Sequence, residues 1–139
     1  MSVAVADDER PHRILHIEDD PDVLQVVQAV VAEVAEAVPA TRLDDARRLL
    51  EQETFDLVIL DLMLPDGDGA ELLPILTAPE HRETPVIVFS AKEVPRDTAN
   101  SVRATLLKSR TTNEVLLETV VAAIGEREQA VPNPADADG

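Results

Sequence analysis

Four continuous apolar runs punctuate the chain: Ile14-Leu15-His16-Ile17, Leu57-Val58-Ile59-Leu60, Val86-Ile87-Val88-Phe89 and Ala104-Thr105-Leu106-Leu107. Continuous runs bounded by polar residues, rather than strict alternation, fit strands buried on both faces, as in a parallel sheet. Between the runs the apolar positions fall at helical spacing. Val23, Val26, Val27, Val30 and Val31 line one side after Asp20-Pro21, where Asp supplies an acceptor to the first turn and Pro suits the first helical position. A second helix is expected from about Asp44 or Asp45, turning Ala46, Leu49 and Leu50 inward, and a third over about 69–76. A last helix starts at about Thr112 and carries Val115, Leu116, Thr119, Val120 and Ala123. Residues 38–43 read as a short strand that Pro39 confines to a sheet edge. Residues 93–103, with Pro95 and the pairs Asp97-Thr98 and Asn100-Ser101, support only a short, irregular helix.

Strand and helix thus alternate five times, which predicts an α/β sheet covered by helices on both faces. The ordered domain is expected over residues 13–124. Residues 1–12 read as an N-terminal tail, and residues 125–139, with Pro132, Pro134 and alternating Ala and Asp, as a disordered C-terminal one.

Composition narrows the function. At 45% apolar residues the chain can bury a core, and its 28 acidic against 12 basic residues give a net charge of −16. That excess of acid argues against nucleic acid as a partner, because phosphate affinity comes from clustered Lys and Arg. The lack of cysteine removes disulfides, thiolate metal sites and cysteine nucleophiles. No segment approaches the roughly 18 apolar residues of a membrane span. The N-terminus, with Asp7, Asp8 and Glu9, lacks a signal-peptide pattern. A cytoplasmic location is the expectation.

Candidate chemistry lies at the strand ends, where a doubly wound parallel sheet binds its ligands. Glu18-Asp19-Asp20 follow the first strand, Asp61 the third, Ser90 the fourth and Lys108 the fifth. Taken singly, each acid or hydroxyl has an ordinary explanation: Asp20 caps a helix, Ser90 sits in a turn, and acids commonly follow apolar strands. Lys108 is less ordinary, being one of only two Lys among 12 basic residues. Clustered carboxylates repel unless a cation joins them, and oxygen donors without His or Cys favour Mg²⁺ or Mn²⁺ over zinc. His16 reads as a core histidine, His12 and His81 as surface residues, and Phe55 and Phe89 as core.

Four motifs in order, Ile14-Leu15-His16-Ile17-Glu18-Asp19-Asp20, Asp61-Leu62-Met63-Leu64-Pro65-Asp66-Gly67-Asp68-Gly69, Val86-Ile87-Val88-Phe89-Ser90-Ala91 and Leu106-Leu107-Lys108, resemble the receiver domains of two-component response regulators. The resemblance covers about residues 13–124. It implies a flavodoxin-like doubly wound five-stranded parallel sheet of order 2-1-3-4-5, the order of the chemotaxis receiver. It implies that Asp61 is the phosphoacceptor and that Asp19, Asp61 and the Met63 backbone carbonyl ligate Mg²⁺, with Glu18 acting through water. Ser90 and Lys108 would then contact the phosphoryl oxygens. A carboxylate attacks phosphorus only if the incoming negative charge is neutralised, which a divalent ion and an ammonium would do.

By the same resemblance the phosphoryl donor is a histidine kinase or a histidine phosphotransfer protein, as in a phosphorelay. No output domain is legible after residue 124, so a single-domain regulator is expected, acting by contact with a downstream protein or by onward phosphotransfer. Such a chain assists its own phosphorylation and dephosphorylation without being an enzyme in the usual sense. Met63 and Lys92 fall at positions that in the family flank the path of attacking water.

Three departures stand out. Thr105 replaces the usual aromatic three residues before the lysine, Ser109 replaces the usual proline after it, and the stretch from Ser90 to Lys108 is about one helical turn short. Competing readings are weaker. A haloacid dehalogenase-type phosphohydrolase needs a second Asp where Met63 stands, and a calcium loop built on Asp66-Gly67-Asp68-Gly69 is broken at Ala70. A receiver-like adaptor that is never phosphorylated is the alternative that keeps the fold.

Overall fold

The computed structural model describes residues 12–130. Its centre is a five-stranded, all-parallel sheet built from β1 (His12–Ile17), β2 (Ala35–Ala40), β3 (Leu57–Leu60), β6 (Val86–Ser90) and β7 (Ala104–Leu107). The spatial order β2-β1-β3-β6-β7 is the expected 2-1-3-4-5, because a two-residue hairpin, β4 (Met63–Leu64) with β5 (Gly67–Asp68), interrupts the count. That hairpin has no apolar period and was not anticipated.

The sheet is apolar on both faces. Leu15, Ile17, Val58, Leu60 and Val88 meet Ala46 and Leu50 of α2 (Leu43–Gln52) and Leu76 of α3 (Leu73–Leu76). On the other face, Ile14, Ile59, Ile87 and Phe89 meet Val27 and Val31 of α1 (Pro21–Val31) and Leu116 and Val120 of α5 (Asn113–Ala130). Winding helices onto both sides explains why the strands read as unbroken apolar runs. Of the valines expected to line α1, Val27 and Val31 are buried, whereas Val26 is exposed.

Several boundaries differ from expectation. His12 already pairs within β1. The last helix continues through Gly125 to Ala130, past the expected end at residue 124. Nothing lies within 4 Å of the position a Gly125 Cβ would take, and an ion pair between Glu126 and Arg103 holds this turn to the sheet. The rest of both expected tails, residues 1–11 and 131–139, lies outside the described residues. β2 begins at Ala35 rather than 38, and the third helix opens as a 3₁₀ turn (Gly69–Leu72). The fourth helix, α4 (Arg96–Asn100), is short as expected. His81, expected at the surface, is buried where the 3₁₀ turn Pro79–His81 ends, and it lines one groove with Phe55 and Ile75.

Pro39 lies in β2, at one edge of the sheet. Ala40 turns its carbonyl toward β1, where the Glu18 N–H donates to it at 2.9 Å. The neighbouring residue therefore faces the open side, the position that tolerates a residue without an N–H.

Candidate functional site

Every strand-end residue singled out in the sequence lies at the carboxyl edge of this sheet. β1 and β3 are neighbours, paired from Ile14 with Leu57 to Ile17 with Leu60, so the acids that follow them are brought side by side. The Asp61 N–H continues the ladder by donating to the Ile17 carbonyl at 2.9 Å. Glu18, Asp19 and Asp61 each offer a carboxylate oxygen within 4.8 Å of the others. Glu18 and Asp61 are buried, while Asp19 is exposed at the rim.

Lys108, at the end of β7, reaches back over the sheet. Its Nζ lies 2.8 Å from Glu18 Oε1 and 3.2 Å from Asp61 Oδ2, and 5.9 Å from the centre of the Phe89 ring. Burial opposes its charge, but Glu18 and Asp61 outweigh that and hold the ammonium pKa above its ordinary value. Burial pushes the Glu18 carboxyl up, against the bonds from Lys108 and from the Asp20 N–H. One ammonium thus faces two buried acids, with a third, Asp19, exposed beside them. An all-oxygen set in which acids outnumber the cation fits a hard divalent ion.

The backbone fixes the remaining pieces. The Met63 N–H donates to Asp61 Oδ1 at 3.2 Å, so Met63 follows the Asp61 carboxylate closely, while Met63 is 49% exposed. Ser90 is fully buried at the end of β6, and its Oγ accepts from the Lys92 N–H at 3.4 Å. The Lys92 side chain is exposed. Asp20 caps α1, accepting from the Asp22 N–H at 2.8 Å, the ordinary reading of that acid. Gly69 is dictated by the site: a Cβ there would stand 2.1 Å from the Asp61 carbonyl oxygen. His16 is buried in β1 two residues before Glu18, and neither ring nitrogen has a hydrogen-bond partner. Burial and the Lys108 charge lower its pKa to about 4.

A groove of about 1110 Å³ opens at the other end of the sheet, lined by Arg13, Phe55, Ile75 and His81, and includes none of the acid cluster. For two residues the sequence reading missed what the structure shows. His81 is one; the other is Asp66, whose carboxylate bonds the start of α2. Its signal was present in α2 itself, whose first turn follows Arg42, a residue with no capping side chain.

A flavodoxin-like sheet with three acids and a lysine gathered at its carboxyl edge has the architecture of a receiver domain, and comparison with known proteins agrees. Residues 14–109 match the family described as response regulator receiver domain, and the chain belongs to that family. It is 38% identical over 93 residues to the regulatory protein VanRB of Enterococcus faecalis, covering 66% of this chain and 40% of that protein. It is 31% identical over 80 residues to the response regulator protein PilR of Pseudomonas aeruginosa, covering 57% of this chain and 18% of that one. The chain therefore spans less than half of these relatives. Among solved structures, a CheY-like receiver domain protein of Methanospirillum hungatei superposes with a TM-score of 0.76 at 24% identity, over 86% of this chain and 98% of that one. The response regulator TrrA of Thermotoga maritima, in complex with Mg²⁺ and BeF, gives 0.70 at 23% identity, over 81% and 98%. These likenesses establish the fold. No helix among the described residues is long and apolar enough to cross a membrane.

Proposed function

We propose that this receiver domain takes a phosphoryl group on Asp61 and that Glu18, Asp19, Asp61 and the Met63 carbonyl hold Mg²⁺ for the transfer. The observation that carries the reading is the position of Asp61: its carboxylate stands 3.2 Å from Lys108 Nζ and is clustered with two further acids. In the transfer an Asp61 oxygen forms a bond to phosphorus, the bond from phosphorus to the donor atom breaks, and its electron pair leaves with the donor. The bound ion would supply charge neutralisation to the phosphoryl oxygens. Lys108 stabilises the same developing charge, and the Ser90 hydroxyl takes a hydrogen-bonding position after transfer. Met63 N–H keeps the acceptor carboxylate oriented.

The donor in this reading is a histidine kinase or a histidine phosphotransfer protein, and the output is contact with a downstream protein or onward phosphotransfer. The test is intact mass after incubation with Mg²⁺ and acetyl phosphate. One added phosphate is expected in the parent and none in Asp61→Asn with its fold retained. An unlabelled parent would instead favour the phosphorylation-independent adaptor, and a labelled Asn variant would remove Asp61 from the role.

A further inference from the structure

Asp66 lies outside the acidic cluster, yet it is heavily engaged. Its Oδ1 accepts from the Leu43 N–H at 2.8 Å and its Oδ2 from the Asp44 N–H at 3.3 Å. The opening N–H groups of a helix have no partner within it, and those of α2 find theirs on a side chain 23 residues further along the chain. Around this bond the contact is dense. Arg42 Nη2 lies 3.9 Å from Asp66 Oδ2, and Arg47 in the next turn lies 3.5 Å from Glu71. Leu43 is buried directly over Gly67, so that a Gly67 Cβ would stand 2.7 Å from Leu43 Cδ1. The Leu43 N–H is the largest reason the Asp66 carboxyl is held below its usual range.

The other end of the same hairpin is tied to the site. Met63 pairs with Asp68 and Leu64 with Gly67, the Gly69 N–H donates to the Leu62 carbonyl at 2.9 Å, and the Met63 N–H holds Asp61 Oδ1. Little slack is left between the Asp61 carboxylate and the Asp66 turn. We propose that Asp66 is a positioning residue for the acidic site: it pins the hairpin that carries Met63 onto the first turn of α2, so that occupancy of the site and order in that turn are coupled. The proposal builds on the assignment of Asp61 as acceptor. Coupling of this kind is reciprocal: removing the pin weakens occupancy, and occupancy alters the turn. A plain helix cap would contribute stability without touching affinity at Asp61.

The test begins with Mg²⁺ alone, titrated by calorimetry into the parent, Asp66→Ala and Asp66→Asn proteins, before any phosphodonor is added. Asp66→Ala is expected to weaken Mg²⁺ binding about fivefold and to slow acetyl-phosphate labelling similarly. Asp66→Asn keeps an acceptor for the Leu43 N–H and is expected to restore both to within about twofold. In the parent, exchange of the Leu43 and Asp44 amides should slow on Mg²⁺ binding. Parental Mg²⁺ affinity in a folded Asp66→Ala protein overturns the proposal, as does an Asn variant as impaired as the Ala variant. If Asp66→Ala does not fold, unchanged Leu43 and Asp44 exchange in the Mg²⁺-bound parent overturns it instead. A parent that binds Mg²⁺ but takes no label sinks the Asp61 assignment, leaving the Mg²⁺ comparison to judge Asp66.

Discussion

His16 shows how a single buried side chain sets a pH limit. Enclosed in β1 with its pKa lowered to about 4, it stays neutral in the folded protein while the unfolded chain takes up a proton near pH 6.5. The unfolded state therefore binds more protons between those values, and stability rises with pH across that window. Lowering the pH from 7 to 4 should remove about 3 kcal/mol through this residue. Denaturant unfolding at several pH values is expected to show that loss in the parent and a flatter profile over pH 4.5–6.5 in His16→Val. Gly69 sets a different limit. A methyl group there must displace the Asp61 carbonyl, so Gly69→Ala should cost about 2 kcal/mol and slow labelling of Asp61, both readable on one preparation. His16 was legible as core because an apolar run surrounds it. His81 was not, since nothing in Glu80-His81-Arg82 marks burial; only the tertiary fold of the 3₁₀ turn conceals it.

Among the helices, α4 is weakly anchored. It has five residues, caps from Pro95 with no side-chain bond, and buries only Thr98. Few buried contacts mean low local stability, so amides of residues 93–103 should exchange much faster than those of β3, and phosphorylation should slow them. Protection equal to β3 before phosphorylation would refute the low local stability of residues 93–103. Thr105, exposed on β7, offers no aromatic ring to stabilise that segment. At the other extreme, α1 is well started: Asp20→Ala should lower stability by about 1 kcal/mol, while leaving Mg²⁺ binding close to parental. The strands and the two-sided helices were readable because periodicity records burial. The β4–β5 hairpin was not, because two-residue strands carry no period, and the extension of α5 was hidden by a glycine that no neighbour constrains.

For the molecule as a whole, the gathering of acids at one sheet edge works against the fold, and a divalent cation there is expected to relieve it. Glu18 is buried with its carboxyl pushed up, and the three acids sit within 4.8 Å. Mg²⁺ should therefore raise the melting temperature by mass action, and Asp19→Ala should lose most of that rise. An identical Mg²⁺ response in the variant would exclude Asp19 as a ligand. The strand-end acids and Lys108 were legible from sequence, since each follows an apolar run. Their pairing was legible only through the family resemblance, whose strand order sets β1 beside β3; nothing in the apolar periodicity by itself brings together residues 47 positions apart.

The two margins of the sheet differ, and Pro39 makes the difference. At the β2 margin an outward-facing residue has no N–H to offer, which leaves a gap in the row of donors that a second chain would need in order to add a strand there. Exposed strand margins are where partly folded chains stick to one another. Pro39 is therefore expected to hinder strand addition at this margin while the protein folds. Pro39→Thr would complete the row of donors, and light scattering during refolding should rise earlier and further than in the parent, even where the refolded variant is no less stable.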